Sequence, residues 1–467
     1  MTTRFPLFFA SLAALCIPAV YAADGGHPVL LVSIDGMRPD YVLKADQYGL
    51  KIPRLRTILA SGAHATGVRG VLPTVTYPSH TTLLTGVWPS KHGIYSNVAF
   101  DPQNLNAQGW LWYSEDIRVP TLWEAAAKAG YGVGSVSWPV SVGAKGVSYL
   151  IPEYWRAPKS SEDIKLIRAL STPGLVAEIE KTAGAYIDDL DQAEAGDRQR
   201  TQYAVAIIRM KKPRLMTVHL AALDHLEHAD GPFSPSALRT LEQADAELGE
   251  LEDAMSAVSA SPILCVVSDH GFARTDHSFN LVGALTESGL PASAHLDGGS
   301  ASIVMNDPRD EAGRRKVSEF LQRLADEPAN GIERILNSEE ISRMGGWTRA
   351  SFWVDMKTNY SVVGTGPVNT ARKAAGTHGF APTHSDLLAA FFICGPRRGA
   401  LAKPRRNRYA QYCADAGQDA GDQTAVRRSA GAQTRLTTRL TRIICLAKPS
   451  ARRSCPGEAG GSCLRPL

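Results

Sequence analysis

Three apolar segments that lie far apart in the sequence each end at an aspartate. They cover residues 27–35, 214–224 and 262–269. Continuous apolar runs of this length are typical of strands that are buried on both faces of a parallel sheet. The pattern therefore predicts three central strands, each followed by a carboxylate.

Segments with helical spacing of apolar residues alternate with these runs. They lie at 120–130, 197–211 and 236–255. Strands that alternate with helices favour an α/β fold, with a mostly parallel central sheet flanked by helices. Ligands of such sheets bind beyond the carboxyl ends of the strands, so Asp35, Asp224 and Asp269 are expected to converge there.

Residues 281–375 differ in character from the rest of the body. A charged helix candidate lies near 310–327, and short strand-like pieces lie at 301–305 and 351–355. We interpret this stretch as a cap subdomain that is inserted into one domain covering residues 23–396.

Residues 1–22 have the pattern of a cleaved secretory signal. A single cation, Arg4, precedes an apolar run over residues 5–20, and small residues follow it. This predicts a periplasmic or secreted protein. A membrane anchor is the alternative, although two prolines interrupt the run and it is short for a span. We expect no membrane span after signal cleavage.

The formal net charge of +4 hides an uneven distribution of charge along the chain. Residues 397–467 hold 15 of the 50 Lys and Arg but 4 of the 46 Asp and Glu. The rest, without Arg4, carries 34 basic and 42 acidic residues. Nucleic-acid binding needs clustered basic groups, so we expect no nucleic-acid-binding surface on this acidic body. The tail itself is basic and lacks apolar periodicity, which indicates a segment of low order.

The body contains two cysteines, Cys265 and Cys394, each within an apolar, strand-like run. Buried free thiols are the simpler interpretation of such positions. One disulfide between them is the alternative, because an exported protein meets oxidising conditions.

Aspartate and histidine occur together at two of the predicted strand ends. Asp224 and His228 are four residues apart, so on a helical turn both face the same way, and Asp269 is followed directly by His270. Either pair alone is an ordinary feature of a strand end. Together with Asp35 they favour a metal site, and carboxylate and imidazole ligands without thiolate suit zinc, with manganese or iron as alternatives.

The candidate nucleophile, Thr76, lies in a loop that enters a helix near residues 78–79. Backbone N–H groups at the start of a helix attract anions. A hydroxyl beside a metal ion can lose its proton near neutral pH, as bound water does. Taken alone, Thr76 also fits a helix-capping or turn residue.

These motifs resemble the nucleotide pyrophosphatase/phosphodiesterase family of the alkaline phosphatase superfamily. The resemblance rests on five short motifs in order: Val-Ser-Ile-Asp35-Gly-Met-Arg, the Thr76 segment, Leu-Asp224-His-Leu-Glu-His228, Ser-Asp269-His270-Gly and Gly376-Thr-His378-Gly-Phe. They extend over roughly residues 29–396. The resemblance implies an alkaline phosphatase-like core and a hydrolase that acts on small phosphodiester or nucleotide substrates.

The resemblance also implies a site with two zinc ions. Asp224, His228 and His378 match the positions that hold one ion. Asp35, Asp269 and His270 match those that hold the other, with Thr76 beside it as nucleophile and ligand. His378 is identified as a candidate ligand by the resemblance alone, because its neighbours in the sequence are those of an ordinary loop histidine.

Two further residues are candidates for binding substrate. The resemblance leads us to expect an Asn three residues after the nucleophile, and this chain has Ser79, whose hydroxyl can donate one hydrogen bond to a phosphate oxygen. Trp138 matches a pocket-lining position and could stack on a base, with core packing as the alternative.

Other chemistries stay open at this stage. A phosphomonoesterase would use the same metals and Thr76, with Arg38 or Lys91 to grip a dianionic phosphate. A sulfatase nucleophile in the pattern Cys394-Gly-Pro-Arg-Arg398 is a formal match in the wrong part of the chain. A catalytically inactive, metal-stabilised binding protein is the alternative outside the enzymes.

The tail has a second interpretation. Codons for residues 403–429, read one nucleotide out of frame, can spell a strand, a turn and a helix that resemble the family's usual C-terminus. We therefore hypothesise a frameshift after about residue 396. An intact reading frame for this tail in close relatives would contradict the hypothesis.

Overall fold

The computed structural model describes residues 27–103, 105, 109–155, 163–186, 194–259 and 261–396. The candidate signal at 1–22 and the basic tail at 397–467, with its hypothetical frameshift, lie outside the described residues. Both therefore stay predictions.

The central sheet carries the three predicted strands side by side. Its strands are β1 (Val29–Ile34), β2 (Ala63–His64), β3 (Val133–Val136), β4 (Tyr149–Ile151), β5 (Leu215–Leu220), β6 (Ile263–Val267) and β14 (Phe391–Cys394). Within the described residues their order is β2-β14-β6-β1-β5-β3-β4. β1 pairs in parallel with β5 and with β6, whereas β14 is antiparallel to β6. The prediction of a mostly parallel α/β sheet is confirmed.

Helices connect these strands and cover both faces of the sheet. They are α1 (Asp40–Leu43), α2 (Pro53–Ser61), α3 (Thr76–Thr85), α4 (Pro89–His92), α5 (Leu122–Lys128), α6 (Asp163–Leu170), α7 (Leu175–Ala183), α8 (Glu194–Lys211), α9 (Ala222–Asp230) and α10 (Pro235–Val258). The helices predicted at 120–130, 197–211 and 236–255 correspond to α5, α8 and α10. Among the described residues, no helix combines the length and hydrophobicity that crossing a membrane requires.

Alternate residues of β1 enter two separate hydrophobic cores. Leu30 and Val32 pack in the core that lies beneath α8 and α10, whereas Val29 and Leu31 pack in the core on the opposite face. Successive side chains of a strand point to opposite faces, so a strand covered on both sides must be apolar throughout. This accounts for the continuous apolar runs in the sequence.

The strand register shows whether Cys265 and Cys394 can form a disulfide. Cys265 lies opposite Ile393, and Cys394 lies opposite Leu264, so the two thiols point to different faces of the sheet. Both cysteines are free. The interpretation as free thiols is confirmed, and the alternative of one disulfide between them is wrong.

Residues between β6 and β14 form two smaller sheets with a hydrophobic cluster of their own. The strands are β7 (Ala273–Asn280), β8 (Ala292–Leu296), β9 (Ser300–Met305), β10 (Ile332–Asn337), β11 (Phe352–Met356), β12 (Tyr360–Val363) and β13 (Asn369–Thr377); the helices are α11 (Leu281–Glu287), α12 (Glu311–Asp326) and α13 (Ser338–Arg343). The sheet orders are β10-β11-β9-β8 and β12-β7-β13. The helix predicted at 310–327 and the strands predicted at 301–305 and 351–355 correspond to α12, β9 and β11.

This second unit begins before residue 281, where we placed the start of the cap. β7 pairs with β12 and β13 and not with the central sheet. The side chain of Phe279, near the end of β7, packs with Ile303 and Val317 in the cluster of the smaller sheets. The sequence of β7 alternates polar residues with others, so a search for apolar runs does not predict this strand.

One buried carboxyl between α8 and α10 makes the stability of the protein depend on pH. Glu247 is 1% exposed, its Oε1 accepts a hydrogen bond from Gln243 Nε2 at 2.9 Å, and its Oε2 has no hydrogen-bond partner. Burial, and then the nearby charge of Asp197, raise the pKa of Glu247 to about 8. The folded protein therefore binds this proton more tightly than the unfolded chain does. The stabilisation is present in full below about pH 4.5 and is lost as the pH rises through 8.

We expect Glu247→Gln to stabilise the protein at pH 8 by about 1–3 kcal/mol and to change little at pH 5, because an amide needs no proton to stay neutral. Denaturant unfolding at both pH values measures this difference. Glu319→Gln, at an exposed position on α12, is the matched control and should change stability at neither pH. A Glu247→Gln variant that is less stable than the parent at pH 8 would contradict the assignment of a buried, destabilising charge.

Candidate active site

The carboxyl edge of the central sheet brings the predicted acidic residues together. Asp35 follows directly after β1, and Asp269 lies two residues after β6; each is 3% exposed. Asp224 differs from the prediction in one respect, because it does not end a strand. It lies in the first turn of α9, which begins two residues after β5.

Asp35, Asp269 and His270 form the first group that could hold a metal ion. Their ligand atoms all lie within 4.8 Å of one another. His270 Nε2 is 3.0 Å from Asp269 Oδ2 and 3.4 Å from Asp35 Oδ1. These three side chains come from the ends of two adjacent parallel strands, as the strand pattern predicted.

Asp224, His378 and His270 form a second group with the same property, so His270 lies between the two. His378 Nε2 is 3.5 Å from Asp224 Oδ1, and His228 Nε2 is 3.5 Å from Asp224 Oδ2. The spacing of Asp224 and His228 on one helical turn thus directs both toward the same point. The structure brings together all six side chains that we singled out as metal ligands.

The hydrogen bonds of the three histidines fit a metal centre. Nδ1 of each ring contacts a backbone carbonyl oxygen: that of Gly271 for His270, Thr74 for His378 and Gly376 for His228, at 3.1, 3.1 and 3.3 Å. When Nδ1 donates to a carbonyl, Nε2 keeps its lone pair and points into the site, as in metal-binding histidines. All three rings present Nε2 to the carboxylates in this way.

The carboxylates of the site also fit a bound cation. Asp35 Oδ1 and Asp224 Oδ1 are buried and have no hydrogen-bond partner, and Asp269 Oδ2 is buried with His270 Nε2 3.0 Å away. Burial, followed by the charges of Asp269 and Asp224, raises the pKa of Asp35 well above its ordinary value. Burial opposes a charged His270, yet the surrounding carboxylates raise its pKa to about 10. The shift of His270 reflects an excess of negative charge around its ring, which a metal ion would balance.

Thr76 is the first residue of α3 and points at this group. Its Oγ1 lies 3.5 Å from His270 Nε2. The helix begins two residues earlier than we predicted. The N–H groups of the first turn have no partner within a helix, so Pro78, which has no N–H, fits there. His80, one turn further on, is kept neutral because burial lowers its pKa to about 3. Its Nδ1 contacts the carbonyl oxygen of Thr76 at 2.8 Å, which helps to hold the turn in place.

The structure places an amide beside the start of α3, but not at the position we expected. Ser79 is 4% exposed, and its Oγ has no hydrogen-bond partner. Asn97, from the loop after α4, instead lies at the start of α3, where its Oδ1 accepts a hydrogen bond from the backbone N of Tyr77 at 2.8 Å. Because a backbone N–H is always a donor, the atom of Asn97 that contacts it is the amide oxygen, and the NH2 group faces away from Tyr77 N. Sequence reasoning missed Asn97.

The prediction that Trp138 stacks on a base does not fit the structure. Trp138 has no exposed surface, packs in the core against Leu84 and Trp123, and meets the ring of His80 edge to face at 5.1 Å. Core packing is therefore the better interpretation of this residue, because a fully buried ring offers no face to a ligand.

Other aromatic side chains are partly exposed and contact the residue that follows Thr76. Trp110 contacts Tyr77, the residue after Thr76, with ring centroids 5.3 Å apart, and contacts Trp155 at 4.8 Å. Trp112 contacts Trp155 at 6.4 Å. We call these three tryptophans the aromatic wall. Leu111 N donates to the carbonyl of Asn97 at 2.9 Å, so a backbone hydrogen bond joins the segment of the aromatic wall to Asn97.

Two alternatives lose support from the geometry. Arg38 is held by the carbonyl of Phe272 at 3.1 Å and by Asp386 at 2.8 Å, which leaves it poorly placed to grip a phosphate monoester. Cys394 lies at the end of an antiparallel strand, so it sits at the edge of the sheet opposite to Asp269. A sulfatase nucleophile at Cys394 is therefore wrong.

The mostly parallel sheet, the cluster of three aspartates and three histidines at its carboxyl edge and the threonine at a helix start define an alkaline phosphatase-like protein. A sequence model of the family described as type I phosphodiesterase / nucleotide pyrophosphatase matches residues 29–381. The chain belongs to this family.

Individual relatives are distant. Human ectonucleotide pyrophosphatase/phosphodiesterase family member 1 is 24% identical over 260 residues, which are 52% of this chain and 23% of that protein. The chain thus spans about a quarter of the length of the curated relatives it matches.

Two solved structures share the fold. The first is an inactive threonine-to-alanine variant of murine ectonucleotide pyrophosphatase/phosphodiesterase 5 in complex with AMP, with a TM-score of 0.56 and 21% identity over 79% of this chain and 87% of that one. The second is phosphonoacetate hydrolase from Sinorhizobium meliloti 1021 in complex with phosphonoformate, with a TM-score of 0.63 and 20% identity over 88% of this chain and 95% of that one.

Proposed function

We propose that this protein is an exported, two-metal hydrolase that cleaves phosphodiester or pyrophosphate bonds in nucleotide-type substrates through Thr76. The observation that carries the proposal is the convergence of two ligand groups on His270, with Thr76 Oγ1 3.5 Å from the same ring nitrogen. Such a cluster suits phosphoryl transfer, in which positioning and charge stabilisation provide most of the catalysis.

The donor set fits zinc, with manganese or iron as alternatives. Asp35, Asp269 and His270 would hold one ion beside Thr76; Asp224, His228 and His378 would hold the other. Ions at these positions would lower the pKa of the threonine hydroxyl and balance charge on the phosphoryl oxygens.

The reaction divides into two displacements at phosphorus. Thr76 Oγ attacks in line, the bond from phosphorus to the leaving alcohol or nucleotide breaks, and a phosphothreonine ester forms. The hydroxyl proton passes to solvent or to the leaving oxygen. Water then attacks the same phosphorus, and the bond from Thr76 Oγ to phosphorus breaks, which restores the hydroxyl.

The surrounding residues suggest how the substrate is held. The NH2 group of Asn97 is placed to donate to a non-bridging phosphate oxygen, a role that we first assigned to Ser79. The aromatic wall gives a nucleobase or another flat leaving group a surface to pack on. The complex of a family relative with AMP supports a nucleotide-type substrate, and the ectoenzyme names of the relatives support export.

The test of this function is kcat/KM of the purified, zinc-loaded protein on p-nitrophenyl thymidine monophosphate, p-nitrophenyl phosphate and phosphonoacetate. We expect the diester to be strongly preferred. Preference for the monoester would assign the site to a phosphatase, and preference for phosphonoacetate would assign it to a phosphonate hydrolase. Zinc-bound protein that turns over none of the three would favour an inactive binding protein.

The role of Asn97 has its own test. We expect Asn97→Asp to lower kcat by about 10²–10³-fold, as the loss of one oxyanion donor typically does, with little change in stability. The aspartate still accepts the hydrogen bond from Tyr77 N but has no NH2 group to donate. Gln103→Ala, at an exposed position of the same loop, is the control and should leave kcat unchanged. Unchanged kcat in the Asn97→Asp variant would remove Asn97 from the mechanism.

A further inference from the structure

A buried imidazole connects one of the candidate metal ligands to a second carboxylate behind the site. His219, on β5, has Nε2 3.0 Å from Asp35 Oδ2 and Nδ1 2.8 Å from Glu153 Oε2. All three residues are at most 5% exposed. Glu153 lies just after β4, so the contact joins three segments that are distant in the sequence.

The two carboxylate oxygens of Asp35 have different surroundings in this arrangement. Oδ2 is occupied by His219, whereas Oδ1 has no hydrogen-bond partner and faces His270. A carboxylate that binds a metal ion is ionised and accepts hydrogen bonds, so His219 would supply the N–H to Asp35 in the metal-bound site. The contact therefore directs one defined oxygen of Asp35 toward the metal group.

His219 is itself held in place from its other side. Its Nδ1 lies 2.8 Å from Glu153 Oε2 and 3.1 Å from the carbonyl oxygen of Ser137. Glu153 is anchored in turn, because its backbone N donates to Ser141 Oγ at 3.2 Å. The ring is thus fixed at both nitrogens, and a fixed ring fixes the carboxylate it contacts.

Glu153 also belongs to the segment that carries part of the aromatic wall. Trp155 lies two residues further along, and Tyr154 packs against Trp112 with ring centroids 4.8 Å apart. The chain Glu153–His219–Asp35 therefore ties this segment to the metal group.

We propose that His219 and Glu153 are positioning residues that hold Asp35 as a one-oxygen metal ligand. The inference rests on the metal centre of the proposed function. It does not depend on which ester is cleaved, because its consequence is a change in metal affinity. Loss of the contact would free Asp35 to rotate, and partners of this kind typically contribute about 10–100-fold to metal affinity.

Two substitutions at one position separate positioning from packing. In His219→Gln the terminal amide lies near the place of Nε2 and can still donate to Asp35. In His219→Asn the amide lies near the place of Nδ1, reaches Glu153 and leaves Asp35 without a donor. We expect His219→Asn to weaken Zn²⁺ binding about 10–100-fold and His219→Gln to stay within about 3-fold of the parent.

The measurement is a competition titration of Zn²⁺ between the full chain and a chromogenic chelator, together with the rise in Tm that added Zn²⁺ produces. His92→Asn is the control, because His92 is a buried histidine that contacts Thr82 at 3.0 Å and none of the candidate ligands. It should leave zinc affinity unchanged. Equal losses in the His219→Asn and His219→Gln variants, or no loss in either, would overturn the proposal.

Glu153→Ala keeps the test decisive if the His219→Asn variant does not fold. The alanine removes the carboxylate that holds Nδ1 of His219, so the ring loses one of its contacts and Asp35 is held less firmly. We therefore expect weaker zinc binding in this variant too, and parent-like affinity in folded protein would overturn the proposal. A parent protein that binds no Zn²⁺ would instead overturn the proposed metal centre itself, and the inference with it.

Discussion

Thr76→Ala is expected to lower kcat by at least about 10⁴-fold, the scale on which removal of a nucleophile acts in enzymes with covalent intermediates. The hydroxyl is the one group of the site that the proposed mechanism requires to form and break a bond to phosphorus. Its Oγ1 lies 3.5 Å from His270 Nε2 and caps no helix. Its loss therefore removes the reaction without removing a structural hydrogen bond.

The same variant should keep its metal and its fold. Asp35, Asp269 and His270 form their group without the threonine, so zinc content by elemental analysis is expected to match the parent. Thr76→Ser should retain measurable turnover, because it keeps the hydroxyl. Thr85→Ala, on the same helix, removes a hydroxyl that donates to the Thr81 carbonyl and should leave kcat unchanged. A Thr76→Ala variant that kept most of the parental kcat would remove Thr76 from the mechanism.

The residues at strand ends were predictable because their position follows from local pattern. An apolar run marks a strand that is buried on both faces, and the residue at its end must lie at one edge of the sheet. Asp35 and Asp269 are located by this rule. The spacing of Asp224 and His228 needs one turn of helix, and α9 provides it.

Residues outside such elements could not be located in this way. His378 follows β13, a strand with exposed and polar positions, and its place in the site depends on pairing with β7. Asn97 lies in a loop, and its contact with Tyr77 N depends on how that loop folds back over α3. Periodicity reports which face of an element is buried, but it does not report which loop meets which helix.

The contacts of two buried residues, Trp138 and His219, were also not predictable from the sequence. A tryptophan before a proline is compatible with a pocket or a core, and only the packing against Leu84 and Trp123 decides between them. His219 is a buried histidine in a strand whose other residues, apart from Thr217, are apolar, which is a sign of a specific partner. The partners themselves, Glu153 and Asp35, are 66 and 184 residues away.

Removal of metal is expected to abolish activity and also to destabilise the fold. Without cations, carboxylate oxygens of Asp35, Asp224 and Asp269 stay buried near one another. Like charges in a buried site repel, and each oxygen lacks the hydrogen bonds that water would supply. A ligand that binds the folded state alone at about 1,000 times its Kd contributes about 4 kcal/mol of stability, so dialysis against a chelator should lower Tm by several degrees.

Activity should fall to background in the metal-free protein and return when Zn²⁺ is added after the chelator is removed. Asp224→Asn tests the same centre by changing one candidate ligand. It removes the carboxylate charge from the group with His270 and His378 and should lower zinc content. Asp276→Asn, which changes an exposed carboxylate on β7, is the matched control and should leave zinc content unchanged. If metal-free protein, verified by elemental analysis, kept both its Tm and its turnover, the six side chains would have to act on phosphorus without a cation. The ring of His270, whose Nε2 lies 3.0 Å from Asp269 Oδ2, would then have to supply the positive charge that balances these carboxylates.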